Sequence, residues 1–213
     1  AVEGFFKKYS NYPMSITKGI SLANLGGFFG TVGDEPVASN SEGRTYGFEM
    51  SVQQKLYKGL YSILTYTYFN SAFTDTSGNY APSSWDSRHV LNLVFGYKFK
   101  RNWELGVKAQ YNGGNPFTPY NDTLSATIAV WDVNGRGIPD YNRLNTERTS
   151  GNFRLDIRVD KKWFFKKWNL DLYLDLVNLT FAKERTQNDL TVVRDVDTPV
   201  SYTHLTLPTS DLV

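Results

Sequence analysis

The chain has 213 residues, a formal net charge of +2 and no cysteine, and aromatic residues make up 15% of it. Without cysteine it cannot form a disulfide scaffold, a cysteine–zinc site or a thiol nucleophile. The near balance of 23 basic and 21 acidic residues argues against nucleic acid as a partner. No run of about 18 consecutive apolar residues is present, so no transmembrane helix is predicted.

Seven stretches of the chain predict β-strands, because apolar and polar residues alternate in them with a period of two. In chain order they are Ala1 to Tyr9, Arg44 to Tyr57, Leu60 to Asn70, His89 to Phe99, Trp103 to Tyr111, Asn152 to Trp163 and Trp168 to Asn178. The first is a partial strand, and the phase of Leu60 to Asn70 is ambiguous. The others predict an antiparallel sheet with one dry side and one wet side.

The connections between these strands alternate in length along the chain. Short turns lie at Lys58-Gly59, at Lys100-Arg101-Asn102 and at Lys166-Lys167. Loops of 34, 16 and 40 residues are predicted at Ser10 to Gly43, Ser71 to Asp86 and Asn112 to Gly151. All short turns therefore lie at one end of the sheet and all long loops at the other. This asymmetry is uncommon in compact soluble domains and typical of outer-membrane barrels.

Two hairpins predict their own register. If Lys166-Lys167 is a two-residue turn, Lys162 lies opposite Asp171 and Arg158 opposite Asp175. The turn at 100–102 likewise places Lys98 opposite Glu104. In both hairpins the apolar faces coincide and opposite charges meet, whereas a slip of one residue would turn the apolar set to the other face.

Aromatic residues crowd the short turns, where they predict contact with a membrane interface. The predicted interface aromatics are Tyr57, Tyr61, Phe99, Trp103, Trp163, Phe165 and Trp168. The alternative is a soluble β-sandwich or lectin-like binding module, in which these rings would plug the open end of a core. Such a sandwich does not explain the asymmetry of the loops.

Charged residues on the wet side of the strands are candidates for the lining of a barrel interior. They are Glu49, Glu104, Lys108, Arg154, Asp156, Arg158, Asp171 and Asp175. They could line a path for a solute, or they could form a solvated wall whose charges neutralise one another.

One histidine invites a catalytic interpretation. His89 follows Asp86 and Ser87, residue types that serve as base, orienter and nucleophile in hydrolases. No G-x-S-x-G elbow and no second histidine in the body of the chain supports this, so the sequence favours an ordinary residue at the start of a strand. We predict no enzyme activity and no cofactor.

A second motif invites a metal-binding interpretation. Asp132 to Gly137 is weakly similar to a calcium loop, in which oxygen ligands alternate along the chain. Arg136 stands at the fifth position, where such loops carry Asp or Asn, so a structured turn is the simpler interpretation. No metal ligands are predicted, although the sequence leaves calcium binding open.

Four stretches carry a resemblance to a known family, through their order and spacing as well as their residues. They are Gly43 to Glu49, Ile138 to Leu144, Arg154 to Lys162 and Leu172 to Leu179. The first opens a strand after a long loop, and the last is similar to a penultimate barrel strand. Together they resemble the β-barrel of TonB-dependent outer-membrane receptors over residues 1 to about 198.

The resemblance implies a barrel of about 22 strands filled by a plug domain, in the outer membrane of a Gram-negative cell. It also implies uptake of a bulky nutrient, driven by the energy-transducing partner TonB. This chain has about seven strands and begins inside one, and it lacks the plug, the partner-binding box and the closing strand. We therefore expect an all-β, antiparallel up-and-down piece of a barrel wall, open and curved, that does not function alone.

The end of the chain predicts a boundary. Ser201 to Thr209 resembles a translated sequencing adaptor and replaces the stretch where a closing strand is expected. We expect residues 1–198 to be the barrel part and 199–213 to be a non-native or disordered tail, in which His204 has no function.

Overall fold

The structure is a computed structural model that describes residues 1–26 and 35–183, together with the backbone of two short strands at 191–194 and 203–206. The seven predicted strands are its seven long strands. These are β1 (Val2–Ser15), β2 (Val37–Tyr57), β3 (Leu60–Thr74), β5 (His89–Lys98), β6 (Trp103–Asn112), β9 (Asn152–Phe164) and β10 (Asn169–Leu176). The short strands are β4 (Tyr80–Pro82), β7 (Pro116–Phe117), β8 (Glu147–Arg148), β11 (Thr191–Arg194) and β12 (Thr203–Thr206).

The long strands form one antiparallel sheet in the order β1-β2-β3-β5-β6-β9-β10, with β4 paired to β3. Each long strand pairs with the next long strand along the chain, so the topology is up-and-down, as predicted. β1 and β10 do not pair with each other, and the sheet is open. The other pairs of the described residues, β7 with β8 and β11 with β12, are too short to cover a face of it. The alternative of a soluble two-sheet sandwich is therefore wrong.

Both predicted hairpin registers are confirmed. Lys162 lies opposite Asp171 and Arg158 opposite Asp175 in β9 and β10, and Lys98 lies opposite Glu104 in β5 and β6. Of these three pairs, only Lys162 and Asp171 form an ion pair, at 3.5 Å.

The first predicted loop is much shorter than the sequence indicates. β1 continues to Ser15 and β2 begins at Val37, so a paired hairpin extends well beyond the rest of the sheet. The register shifts twice between Tyr9 and Pro13, and Asn11 adopts a positive φ of 55°. These bulges interrupt the alternation of apolar and polar residues, so the sequence pattern does not predict that the strand continues to Ser15. Pro13 is tolerated because it lies at one of these bulges.

The long loops contain short elements of their own. The helices are α1 (Leu22–Leu25), α2 (Asp122–Ser125) and α3 (Ile128–Asn134), and two 3₁₀ turns lie at Lys100–Asn102 and Tyr141–Arg143. None of the described helices has the length and apolarity that would let it cross a membrane.

The buried core lies at the long-loop end of the sheet. Phe73 is almost fully buried, and its ring centroid lies 4.7 Å from that of Tyr12, 5.4 Å from that of Tyr9 and 5.8 Å from that of Trp85. Gly43 leaves the space for this ring, because a Cβ there would lie 2.3 Å from it. The long loops are thus packed on the sheet, while the middle of the sheet is a single layer.

Candidate functional site

The sheet has two faces of opposite character. The apolar face carries the odd-numbered side chains of β5, β6 and β9 and the even-numbered ones of β2, β3 and β10, as the pairing places them. Pairing also resolves the phase of β3, because Leu64 lies between Val52 and Leu93. Large side chains on this face stay exposed, among them Leu172 at 63% and Leu174 at 61%. A soluble monomer rarely leaves so continuous an apolar surface uncovered.

A turn-end belt of aromatic rings borders this face beside the short turns. Its members are Tyr57, Phe99, Trp103, Trp163, Phe165 and Trp168. Phe165 and Trp168 stack across their turn with ring centroids 4.0 Å apart. The Lys161 ammonium lies 5.2 Å from the Trp103 ring and 5.4 Å from the Trp163 ring. The belt thus combines apolar rings with a cation at its edge.

Tyr61 does not belong to this belt, contrary to the sequence analysis. It lies opposite Gly96, on the polar face, and its hydroxyl donates a hydrogen bond to Glu104 at 2.9 Å. A Cβ at position 96 would lie 2.1 Å from the Tyr61 ring, so Gly96 makes room for it. Because Tyr57 pairs with Leu60 across the turn, the next residue necessarily faces the other way.

A loop-end belt of aromatic rings, which the sequence did not predict, borders the apolar face at its other end. Its members are Tyr46, Phe48, Tyr66, Tyr68, His89, Tyr111 and Phe153. The ring of Phe48 lies 5.8 Å from that of Tyr66 and 5.9 Å from that of Tyr68. These residues come from five strands, so only the cross-strand register could have revealed the belt.

His89 belongs to this belt and not to a catalytic set. Its Nδ1 lies 2.8 Å from the Tyr66 hydroxyl, and its ring packs against Tyr68 at 5.2 Å. The Asp86 carboxylate is bound elsewhere, by the Ser71 amide and by Arg148. His89, Asp86 and Ser87 therefore do not form the arrangement of base, orienter and nucleophile that a hydrolase requires.

All eight predicted interior charges lie on the polar face, which is the reverse side of the sheet. Most of them are engaged within the wall. Arg154 pairs with Asp156 at 3.0 Å, and Arg158 pairs at 2.8 Å with Asp160, which is not among the predicted interior charges. The register also places Lys108 opposite Asp156. With Asp171, which pairs with Lys162, four of the eight charges are in ion pairs within the wall, in line with the second interpretation of this face.

Buried polar contacts join the long loops at the other end of the sheet. Asp86, fully buried, accepts hydrogen bonds from the Ser71 amide and the Arg148 guanidinium. Arg148 also donates to the Gly114 carbonyl at 3.1 Å. Asn145, 121 positions after Asn24, donates to the Asn24 carbonyl at 2.7 Å. Three loops that are distant in sequence thus form one connected rim.

A polar clamp closes the base of the first loop. The Ser15 hydroxyl donates a hydrogen bond to the Glu35 carboxylate, and the Lys18 ammonium lies 2.9 Å from its other oxygen. The Ser15 hydrogen bond, and after it the Lys18 hydrogen bond, lowers the pKa of Glu35 below its usual value of 4.5. The carboxylate is therefore held ionised at neutral pH.

The third loop does not have the backbone form of a calcium loop. Asp132 lies within α3, which ends at Asn134, so its segment does not form the extended loop that alternating oxygen ligands require. In the described part of the chain, no group of three or more His, Asp or Glu residues is placed to hold a metal ion.

The comparison with known families agrees with this two-faced sheet. A family model described as "TonB dependent receptor-like, beta-barrel" matches residues 1–179. The chain belongs to the TonB-dependent receptor β-barrel family. No curated protein matches it. The family is one of outer-membrane transporters, and the predicted resemblance is confirmed.

The match to the receptor barrel family spans all seven long strands, from β1 to the end of β10. The expected tail at 199–213 lies outside it. Most of that tail also lies outside the described residues, which include only β12 there.

A polar cavity of about 440 Å³ opens on the polar face of this receptor barrel sheet, near the long loops. Gln110, Asn112, Asn152 and Arg154 contribute side chains from β6 and β9. The loops complete the lining with Ser87, Gly113, Asn115, Thr149 and Ser150. Of these residues the sequence predicts only Arg154 as a site residue, because the cavity forms where three segments meet.

Proposed function

We propose that this chain forms part of the wall of an outer-membrane receptor that takes up a bulky nutrient by TonB-dependent active transport. The apolar face contacts outer-membrane lipid, and the polar face lines the barrel interior. The eight predicted charges then face water inside the barrel, and the turn-end belt lies at a membrane interface.

One observation carries the proposal: an exposed apolar face is bordered by aromatic belts at both ends. His89 and Phe99 are ten positions apart along one strand, and Phe153 and Trp163 are ten apart along another. At about 3.4 Å per residue the two belts lie about 34 Å apart along the strands. With the usual strand tilt of about 40°, that length spans about 25 Å of membrane, the height of the apolar band in such barrels.

The lengths of the connections support one orientation of the sheet in the membrane. Short, lysine-rich turns suit the periplasmic side, and long loops suit the extracellular side. The rim held by Asp86, Arg148 and Asn145 would then present an ordered surface for capturing the nutrient. Residues 1–198 belong to the barrel in this proposal, and 199–213 form a non-native tail.

Activity requires the remainder of the receptor. The sheet has two open edges, at β1 and β10, and unpaired backbone groups in hydrocarbon each cost several kcal/mol. Closure by further strands, a plug domain and coupling to TonB would supply what this chain lacks. We expect the isolated chain to aggregate in buffer and to give no discrete currents in planar bilayers.

Labelling of intact cells tests the orientation. This chain contributes no cysteine, so single cysteines are introduced into it within a complete receptor whose remaining part is also free of cysteine. An impermeant thiol reagent should label Asn134→Cys in the third long loop and spare Lys167→Cys in a short turn. Labelling of Lys167→Cys alone would contradict the orientation, and labelling of both in intact cells would contradict the membrane-spanning wall.

A further inference from the structure

The cavity on the polar face is built by close approach of three segments of backbone. A Cβ at Gly113 would lie 2.0 Å from the Ser87 carbonyl oxygen, and one at Gly114 would lie 1.6 Å from the Thr149 carbonyl oxygen. Only glycine allows these contacts. The backbone amide of Asn115 also holds the segment after Gly114 in place, because it donates a hydrogen bond to the Thr149 hydroxyl at 3.1 Å. The shape of the cavity is thus determined by the backbone.

Hydrogen-bonding groups converge on this cavity without partners of their own. The side-chain amides of Asn112, Asn115 and Asn152 and the Ser87 hydroxyl make no hydrogen bond to the described residues. Gln110 donates to Asn92 at 3.1 Å, which leaves its carbonyl oxygen free. Water can satisfy these groups in the empty cavity, and a ligand with suitable groups can replace that water.

The balance of donors and acceptors selects the chemistry of the ligand. Each free amide offers an acceptor oxygen beside two donor hydrogens. An anion only accepts hydrogen bonds, so it would face unfavourable carbonyl oxygens, and the one cation, Arg154, is already paired with Asp156 at 3.0 Å. A cation would face the amide hydrogens. Hydroxyl groups both donate and accept, and neighbouring hydroxyls match the two ends of an amide.

The lining also argues against an apolar or peptide ligand. All nine lining residues are polar or glycine, so no apolar side chain lines the cavity and polar surface predominates in it. Its volume of about 440 Å³ lies within the 300–1,000 Å³ typical of small-molecule sites. We infer that this cavity binds a neutral, hydroxyl-rich ligand of the oligosaccharide class. The inference rests on the proposed function, because it requires the polar face to line the interior.

Binding measurements on the complete receptor in detergent test the inference. The probes are maltotriose, cellotriose, xylotriose and lactose, with a ferric hydroxamate chelate and trialanine as probes of other classes. We expect calorimetry or saturation-transfer NMR to detect at least one saccharide. N112A/N152A should weaken its binding about tenfold or more, because two hydrogen-bonding amides are lost.

N169A is the matched control, since Asn169 is an amide on the same face at the short-turn end, far from the cavity. It should leave saccharide affinity within twofold. The inference is overturned if no saccharide binds, if the chelate or the peptide binds instead, or if the double variant binds saccharide as well as the parent.

Cysteine labelling separates failure of the inference from failure of the proposed function. Asn112→Cys and Asn152→Cys should react with a water-soluble thiol reagent that does not enter lipid. If they react while no saccharide binds, the polar face lines the interior as proposed, and the inference of an oligosaccharide site is wrong. If they react only with a lipid-soluble reagent, the polar face does not line the interior, and both proposals fail.

Discussion

Lys162 and Asp171 face each other across the last hairpin, with the lysine Nζ 3.5 Å from a carboxylate oxygen. Both side chains are more than 40% exposed, so the pair contributes less than about 1 kcal/mol. It nevertheless shows the register, because a slip of one residue would place Asp171 on the apolar face. The ion pair therefore marks the register and contributes little to its stability.

A charge on the apolar face should destabilise the receptor strongly. Leu174 lies opposite Val159, about midway between the two belts. Leu174→Lys should lower the free energy of unfolding by about 2–4 kcal/mol, the cost of a lysine at the bilayer midplane. Denaturant unfolding of the receptor in lipid vesicles measures it. Thr65→Lys, at a similar level on the polar face of β3, should cost less than 1 kcal/mol. Equal effects of the two substitutions would contradict the assignment of the faces.

Gly47 should be intolerant of any side chain. A Cβ there would lie 2.0 Å from the Tyr68 carbonyl oxygen, whereas one at Gly4 would meet only the Gly47 carbonyl at 3.9 Å. Gly47→Ala should destabilise the sheet by about 1–3 kcal/mol or prevent folding, because backbone would have to move. Gly4→Ala should be close to neutral. Unfolding midpoints of the two variants provide the comparison, and an unaffected Gly47→Ala protein would disprove the close approach of β2 and β3.

The Asp86–Arg148 pair should hold the long loops together. Asp86 is fully buried and Arg148 is about a quarter exposed, so Asp86→Asn leaves a partly buried guanidinium without its counterion. We expect a loss of about 2–3 kcal/mol and faster proteolysis of the loop at 113–151. The exposed pair Arg143–Glu147 is the control, and Glu147→Gln should change stability by less than 0.5 kcal/mol. Unchanged proteolysis in Asp86→Asn would show that the rim does not depend on this pair.

The clamp at Glu35 should open in acid. Its pKa is lower in the folded protein than the usual 4.5, so the folded state binds fewer protons than the unfolded state. The clamp's contribution to stability is therefore complete above about pH 4.5 and is lost as the pH falls through the lowered pKa. A spin label at Thr17→Cys should become more mobile over that range. In a Glu35→Gln background the mobility should not change with pH there, and an identical pH response would argue against the clamp.

The sequence predicted the hairpins at 98–104 and 158–175 correctly because tight turns and a period of two leave a single register with matched faces. It misplaced Tyr61 because the turn at Lys58-Gly59 reverses the face between Tyr57 and Tyr61, which depends on the pairing of Tyr57 with Leu60. It did not predict the part of β1 after Tyr9 because bulges near Asn11 interrupt the alternation.

The loop contacts and the cavity were beyond prediction for a different reason. The bond from Asn145 to the Asn24 carbonyl joins segments 121 positions apart, and no local pattern in either segment signals the other. Asn112 and Asn152 reach one cavity only because β6 pairs with β9 across the loop at 113–151. Such convergence depends on the three-dimensional path of the loops.

Collision accessibility along β9 tests the central claim most directly. Spin labels are placed singly at positions 153 to 163 of the complete receptor in lipid vesicles, and their accessibility to oxygen and to a water-soluble nickel chelate is measured. The wall predicts alternation with a period of two: odd positions favour oxygen, most strongly near Ile157 and Val159 and weakening towards Phe153 and Trp163, while even positions favour the chelate. Accessibility to the chelate at both odd and even positions would contradict a membrane-spanning wall.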